Sequence, residues 1–174
     1  SIGTHALSPL LAKKPLYNPA TDFQPVILIA EVPLVLIVRK DLPAEDLKEF
    51  IAYAKANQDK MQYGSGGTGT SAHIGCVLLN QAIGVNITHI PYRGGGPSLA
   101  DLIAKRIDYI CNYVSTAAQA LDSGQVKALA IFADKAPALY PNLPTIKQAT
   151  GSNWQTAAWR GFAAPKGVSK EVID

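Results

Sequence analysis

The sequence predicts an α/β fold in which helices pack on both faces of a mainly parallel sheet. Three observations carry this. Short apolar runs rich in Val, Ile and Leu, at 26–30, 34–38 and 126–132, suit strands buried on both faces. Between such runs lie stretches with apolar residues at helical spacing, so strand and helix alternate through the middle of the chain. Two glycine-rich turns each follow a strand candidate and open a helix.

In chain order, residues 1–5 are small and polar, 6–11 are apolar, and the start reads as a fraying terminus. Residues 13–22, with Pro15, Asn18 and Pro19, form a loop. The strand runs 26–30 and 34–38 follow, separated by Glu31, Val32 and Pro33. Residues 41–46 read as a helix start, with Pro43 and acids near the N-terminus, and Leu47, Phe50, Ile51 and Ala54 form that helix's buried stripe. A short extended segment with Met61 and Tyr63 runs into a loop holding Gly64, Gly66, Gly67 and Gly69. The next helix has Thr70 or Ser71 as N-cap, an apolar pattern of Ile74, Val77, Leu78 and Ala82, and Gly84 as its stop. A strand at 86–90 leads to the second glycine turn at 91–97 and a helix with Leu99, Leu102 and Ile103 facing inward. A strand at 107–111 precedes a helix capped by Ser115 or Thr116 that ends at Gly124. After the strand at 126–132 come a proline-rich loop (136–144), a short helix (144–150), an extended stretch (154–164) and a last helix from Ser169.

At 174 residues the chain fits one ordinary domain, or one and part of another. Apolar content of 48% against 17% charged marks a globular chain with a sizeable core. The net charge of +3 comes from scattered Lys and Arg, which argues against nucleic acid and suits a small anion. No apolar run approaches the ~20 residues that span a bilayer, so no direct membrane insertion is expected. The chain opens on Ser1, so the lack of a signal peptide is uninformative. Cys76 and Cys111 read as small buried side chains, with a single disulfide left open, and neither has metal-ligand spacing to a histidine.

The loop at 61–73 organises the chain. Its glycines let backbone N–H groups turn toward one point, and the helix start adds partial positive charge. Ser65, Thr68, Thr70 and Ser71 add hydroxyls, giving an anion pocket built from neutral groups. Residues 67–72 also fit a dinucleotide fingerprint ending in alanine, but no carboxylate stands about 20 residues on, where the ribose needs one. Residues 69–73 begin like a nucleophile elbow and end in His instead of Gly, and no Lys completes a P-loop. The remaining reading is a plain strand-to-helix turn. Right-handed crossovers would bring this loop, the 91–97 turn and the Asn112–Tyr113 turn to one crevice. His89 reads as a packed core residue, and no acid–base machinery is assembled around Ser71.

The ordered series Tyr63 to His73, His89 to Pro97, Asp101, Leu102, Asp108, Leu129, Ala130, the 139–144 loop and Trp159 to Pro165 resembles one family. It is similar to the periplasmic solute receptors of tripartite tricarboxylate transporters, the Bug-type receptors. The resemblance implies a periplasmic-binding-protein-like fold of type II, a two-lobed α/β receptor that closes on small carboxylates, with no chemistry and no cofactor or metal. By that resemblance Ser65, Gly67, Thr68, Gly69, Thr70 and Ser71 hold a ligand carboxylate, and His73 supports the loop or the ligand. Thr4 and His5 face the cleft from the other lobe, and Asn112 and Tyr113 read the rest of the ligand. Asn112, where the family often has Asp, favours a di- or tricarboxylate or an aromatic acid over an amino acid. The implied partners are membrane permease subunits, and the implied location is the periplasm, with the full-length receptor a monomer.

The resemblance also implies a fragment. Residues 1–25 would be a remnant of lobe 1, 26–40 crossing strands, 41–152 lobe 2, and 153–174 the return crossing and the start of a lobe 1 helix. Half of the clamp is then missing, and weak ligand binding is expected. The rival readings are a small hydrolase using Ser71 and His73, a nucleotide-dependent enzyme, or a ligand-sensing regulatory domain. Ser71 and His73 are two apart near a helix start and point in different directions, a poor nucleophile–base pair.

Overall fold

A computed structural model describes residues 13–151 and 156–173, so Thr4 and His5 lie outside the described residues. The chain forms two compact units. One is Pro33–Ala157; the other joins the residues up to Val32 with those from Ala158 onward.

The larger unit is organised by strands β1 (Phe23–Arg39, from Pro33 on), β2 (Gln62–Ser65), β3 (Thr88–Pro91), β4 (Tyr109–Tyr113) and β5 (Val126–Ile131) in the order β3-β2-β4-β1-β5. β2 runs parallel to β3 and β4, while β1 runs antiparallel to β4 and β5. Four strands therefore share one direction and β1 opposes them from inside the sheet. The helices are α1 (Leu47–Asn57), α2 (Ser71–Ile83), α3 (Gly95–Ile103), α4 (Val114–Asp122) and the short α5 (Ile146–Thr150). Alternation along β1 sorts the core into two layers. Leu34, Leu36 and Val38 pack with Phe50 and Ala54 of α1 and with Cys76, Leu79 and Ile83 of α2. Val35 and Ile37 meet Leu102 of α3 and Ala117 and Ala120 of α4 on the other face. Each of these β1 side chains is fully buried, worth about 1.5–3 kcal/mol apiece against exposure.

The caps follow sequence chemistry. Asp46 accepts the Glu49 N–H to start α1, Thr70 accepts the His73 N–H to start α2, and Gly84 closes α2 in the left-handed conformation. Thr145 and Gln148 form a capping box at α5.

Several expectations are corrected. The two runs around Pro33 are one 17-residue strand. Proline's fixed φ suits extended backbone, and its missing N–H costs nothing here because the ladder with β4 begins at Leu34. The 26–30 half of that strand is not buried: Ile27 is 59% and Leu28 56% exposed. Among the described residues of the smaller unit, this half has only β6 (Ala157–Pro165) beside it and α6 (Lys170–Ile173), which buries nothing. The buried face of α2 carries Ala72, Gly75, Cys76, Leu79 and Ile83, not Ile74, Val77, Leu78 and Ala82. Both faces of this helix are apolar, so periodicity cannot choose, and Gly75 decides. A Cβ there would lie 2.7 Å from Leu34 Cδ1, so glycine lets this face approach β1 without displacing that side chain. Ile103 is 36% exposed rather than inward. Neither Ser115 nor Thr116 caps α4; the helix starts at Val114, and Asn112 Oδ1 accepts the Tyr113 N–H instead. Cys76 and Cys111 are joined in a disulfide that ties α2 to β4.

Candidate functional site

The parallel strands β3, β2 and β4 are neighbours, so the loops at their C-terminal ends meet. Tyr92 N–H donates to Ser65 O at 3.0 Å and Gly94 N–H to Gly66 O at 3.2 Å, fastening the two glycine turns to each other. Asn112 Nδ2 donates to Gly95 O at 3.3 Å and joins the third turn to them. The contact is close: a Cβ on Gly66 would lie 3.3 Å from the Gly94 backbone. Gly67 (φ 124°), Gly69 (φ 79°) and Gly94 (φ 116°) occupy conformations that L side chains rarely adopt. The three turns therefore meet as expected, and the helices α2, α3 and α4 start from them.

Within the first loop most polar groups serve the loop itself. Ser65 is 1% exposed; its hydroxyl lies 2.8 Å from His89 Nε2 and accepts the Gly67 N–H at 3.1 Å. Thr70 Oγ1 donates to Gly67 O at 2.7 Å while accepting the His73 N–H. Gly69 N–H donates to His73 Nδ1 at 3.3 Å. What remains unspent is at the helix start. Ser71 is 5% exposed, yet its hydroxyl and its N–H, like the N–H of Ala72, have no partner among the described residues. Thr68 is exposed at the loop tip. Two N–H groups, one buried hydroxyl and the positive end of a helix form a neutral, donor-rich seat.

Asn112 is 2% exposed and its amide is engaged at both ends, by Gly95 O and the Tyr113 N–H. Tyr113 is half-buried at the end of β4 beside it. The side chain at 112 thus ties the third turn to the second and carries no charge.

A layer of rings lies beneath the loop. His73 and His89 are 4.2 Å apart, and Tyr63 stacks 4.9 Å from His89 and 5.5 Å from Tyr109. Burial lowers the pKa of His73; burial and the neighbouring His73 push His89 down to about 4. Both imidazoles are neutral at pH 7. Burial raises Tyr63, and raises Tyr109 strongly although its hydroxyl donates to Asn80 Oδ1 at 2.7 Å. The part played by His89 escapes sequence reasoning, which places it in the core. Its signal is the pairing of Tyr63 with His89 across β2 and β3, a register no local pattern encodes.

Among the described residues no nucleophile, base and orienting carboxylate come together at the loop. Ser65 and His89 are close enough for a nucleophile–base pair, but the serine is buried, and among the described residues no carboxylate bonds to His89 to orient it. No hydrogen bond joins Ser71 to His73 among those residues. Among the described residues no three His, Cys, Asp or Glu come together as metal ligands, and no helix is long and apolar enough to cross a membrane.

The model of the tripartite tricarboxylate transporter family receptor matches residues 2–174. A UPF0065 protein encoded in a tcbD–tcbE intergenic region of a Pseudomonas species is 36% identical over 160 residues, 91% of this chain and 47% of that protein. Protein BugT of Bordetella pertussis is 28% identical over 157 residues, 90% of this chain and 48% of its own. Among solved structures, an R. palustris protein with adipate superposes with a TM-score of 0.91 at 34% identity, covering 99% of this chain and 57% of that one. The periplasmic binding protein BugD gives 0.89 at 36%, covering 99% and 57%. MatC from Rhodopseudomonas palustris with bound malate gives 0.87 at 35%, covering 99% and 58%. The chain spans about half the length of the relatives it matches.

Proposed function

The chain belongs to the tripartite tricarboxylate transporter receptor family, and on that premise we propose that it is the carboxylate-holding part of an extracytoplasmic solute receptor. The observation that carries this is the seat at the start of α2. Ser71 is buried, and among the described residues its hydroxyl and the N–H groups of Ser71 and Ala72 have no partner. A carboxylate oxygen supplies the acceptor these donors lack, in a charge-assisted bond that neutral water makes less well. Thr68 closes on it from the loop tip, while Ser65, Gly67, Gly69, Thr70 and His73 hold the loop in shape.

Malate and adipate, bound by two relatives, favour a small dicarboxylate here as well. Asn112 and Tyr113 would face the ligand's far end, where an uncharged amide agrees with a ligand lacking an amino group. Thr4 and His5 would close from the opposite lobe. We assign the unit Pro33–Ala157 to the ligand-holding lobe expected over 41–152, and the remainder to crossing strands and the other lobe. The disulfide between Cys76 and Cys111 supports a periplasmic location, where such bonds persist. Delivery would be to membrane permease subunits, without turnover of the ligand.

A thermal-shift screen of the chain against mono- and dicarboxylates tests this. Ligand at about ten times its Kd adds roughly 1.4 kcal/mol of stability. The shift is expected with a dicarboxylate at millimolar concentration and should vanish in Ser71→Ala, which leaves the backbone seat but removes the buried hydroxyl. No shift with any acid, together with hydrolysis of an ester, would favour the enzyme reading.

A further inference from the structure

Resting on the carboxylate reading above, we propose that His89 is a positioning residue of the glycine loop. Its ring accepts the Ser65 hydroxyl proton and, with the His73 ring tilted against it, keeps the loop in its ligand-holding shape only while both rings are neutral.

Counting donors and acceptors fixes the proton positions. Gly67 O already receives the Thr70 hydroxyl at 2.7 Å and the Thr70 N–H at 3.3 Å, which fills its two lone pairs. The Ser65 oxygen is 3.1 Å from that carbonyl but 2.8 Å from His89 Nε2. Its single proton therefore goes to Nε2, and its lone pairs are left for the Gly67 N–H. His89 is then the tautomer protonated on Nδ1. The Gly69 N–H donates to His73 Nδ1, so His73 is the opposite tautomer, protonated on Nε2. Each ring thus accepts one hydrogen bond from one end of the same loop.

A proton on either acceptor nitrogen undoes this. On His73 it sets a donor against the Gly69 N–H. On His89 it turns the Ser65 proton back onto a carbonyl already filled. The rings are 4.2 Å apart, so charging one also opposes charging the other. The titratable groups facing the pair are Tyr63 from β2 and, beyond it, Tyr109 from β4. At the end of β3, the Tyr92 hydroxyl is held by Asp101 of α3, which also pairs with Arg106. From α2 the nearby Cys76 is in its disulfide and does not titrate. No carboxylate bonds to either ring among the described residues, so nothing there compensates an added charge. His89 takes its proton only near pH 4.

The test is nitrogen NMR of the imidazoles in the full chain, with the Gly67 and Gly69 amides followed through an acid titration. At pH 7, His89 is expected as the Nδ1–H tautomer and His73 as the Nε2–H tautomer. On acidification both glycine amides should shift together with the imidazole signals. In His89→Gln the side-chain oxygen still accepts the Ser65 proton but cannot titrate, so the acid transition at Gly67 should disappear. With malate at pH 7, His89→Gln should bind like wild type, while His89→Phe, which cannot accept, should bind about tenfold more weakly or worse. An Nε2–H tautomer of His89, a Gly67 amide indifferent to the imidazole titration, or undiminished binding by His89→Phe would each overturn the proposal. If malate binds no form of the chain, the carboxylate reading fails, while the tautomers and the linked titration still decide the role of His89 in the loop.

Discussion

Opening the Cys76–Cys111 bond should cost this chain a large share of its stability. The bond closes a loop of 35 residues between α2 and β4, and both sulfur-bearing residues are fully buried. In the chain-entropy treatment, cross-linking a loop of this length removes disorder from the unfolded chain worth about 4 kcal/mol at 25 °C. Folded chains of this size have only about 5–15 kcal/mol in all. Little offsets the loss, because a Cys76→Ser, Cys111→Ser pair would also leave two hydroxyls in an apolar layer beside Leu79 and Tyr109. Cys76→Ala with Cys111→Ala is the cleaner perturbation. Urea unfolding of this variant and of the oxidised parent should give a difference of about 3–4 kcal/mol, and heating a fall of roughly 6–16 °C in Tm. The urea slope should rise on removal of the cross-link, since the unfolded state then exposes more surface. A difference under about 1 kcal/mol, with the slope unchanged, would refute the reasoning, because the bond would then constrain neither state.

Three further outcomes follow from the geometry. Gly66→Ala places a methyl 3.3 Å from the Gly94 backbone, which cannot yield as a side chain can. Carboxylate binding should weaken about tenfold, read by calorimetry, while urea stability falls by no more than about 1–3 kcal/mol. Gly75→Ala drives a methyl to 2.7 Å from Leu34 Cδ1 and 3.3 Å from Thr156 Cγ2 in the packed layer under α2, and should cost about 1–3 kcal/mol in urea unfolding. Acid should destabilise the chain in two windows. The unfolded His89 binds a proton near pH 6.5 and the folded one only near pH 4, so stability present above 6.5 is lost on the way down to 4. Lys105 and then Arg39 hold the Asp41 carboxyl at about 2 against an ordinary 3.8, so a second loss falls between those values. Urea midpoints taken from pH 7 to pH 2 check both, and His89→Gln should shrink the first alone, leaving the share of His73, whose pKa burial also lowers.

The parts of this molecule that local chemistry dictates were readable from residues. Glycines before Thr70 specify a loop that turns into a capped helix, and Gly84 specifies its end, whatever packs around them. Pairing of distant residues was not readable in that way. Nothing in the spacing of Cys76 and Cys111 says that their backbones come within 5.5 Å. Nothing near His89 says that a parallel neighbour brings it to Ser65, because that depends on the register of β2 against β3. The face α2 buries was misjudged for the same reason: Gly75 against Leu34 is a tertiary fit. Pro33 misled in the opposite sense, since a break signal matters only where the ladder needs an N–H.

The reversed strand at the heart of the sheet bears on how such a chain reaches its final form. Residues Leu34 to Val38 bond on one side to Tyr109–Tyr113 and on the other to Val126–Ile131. Both partners lie roughly 70–100 residues downstream, and contacts so far apart in sequence are slow to close. While β2, β3 and their helices assemble from near neighbours, five of the most apolar residues in the chain wait without partners. The central zipper is expected to close last, once β5 is available to pair. Refolding should therefore be slow at this step, with the waiting strand as the segment most prone to capture by another chain.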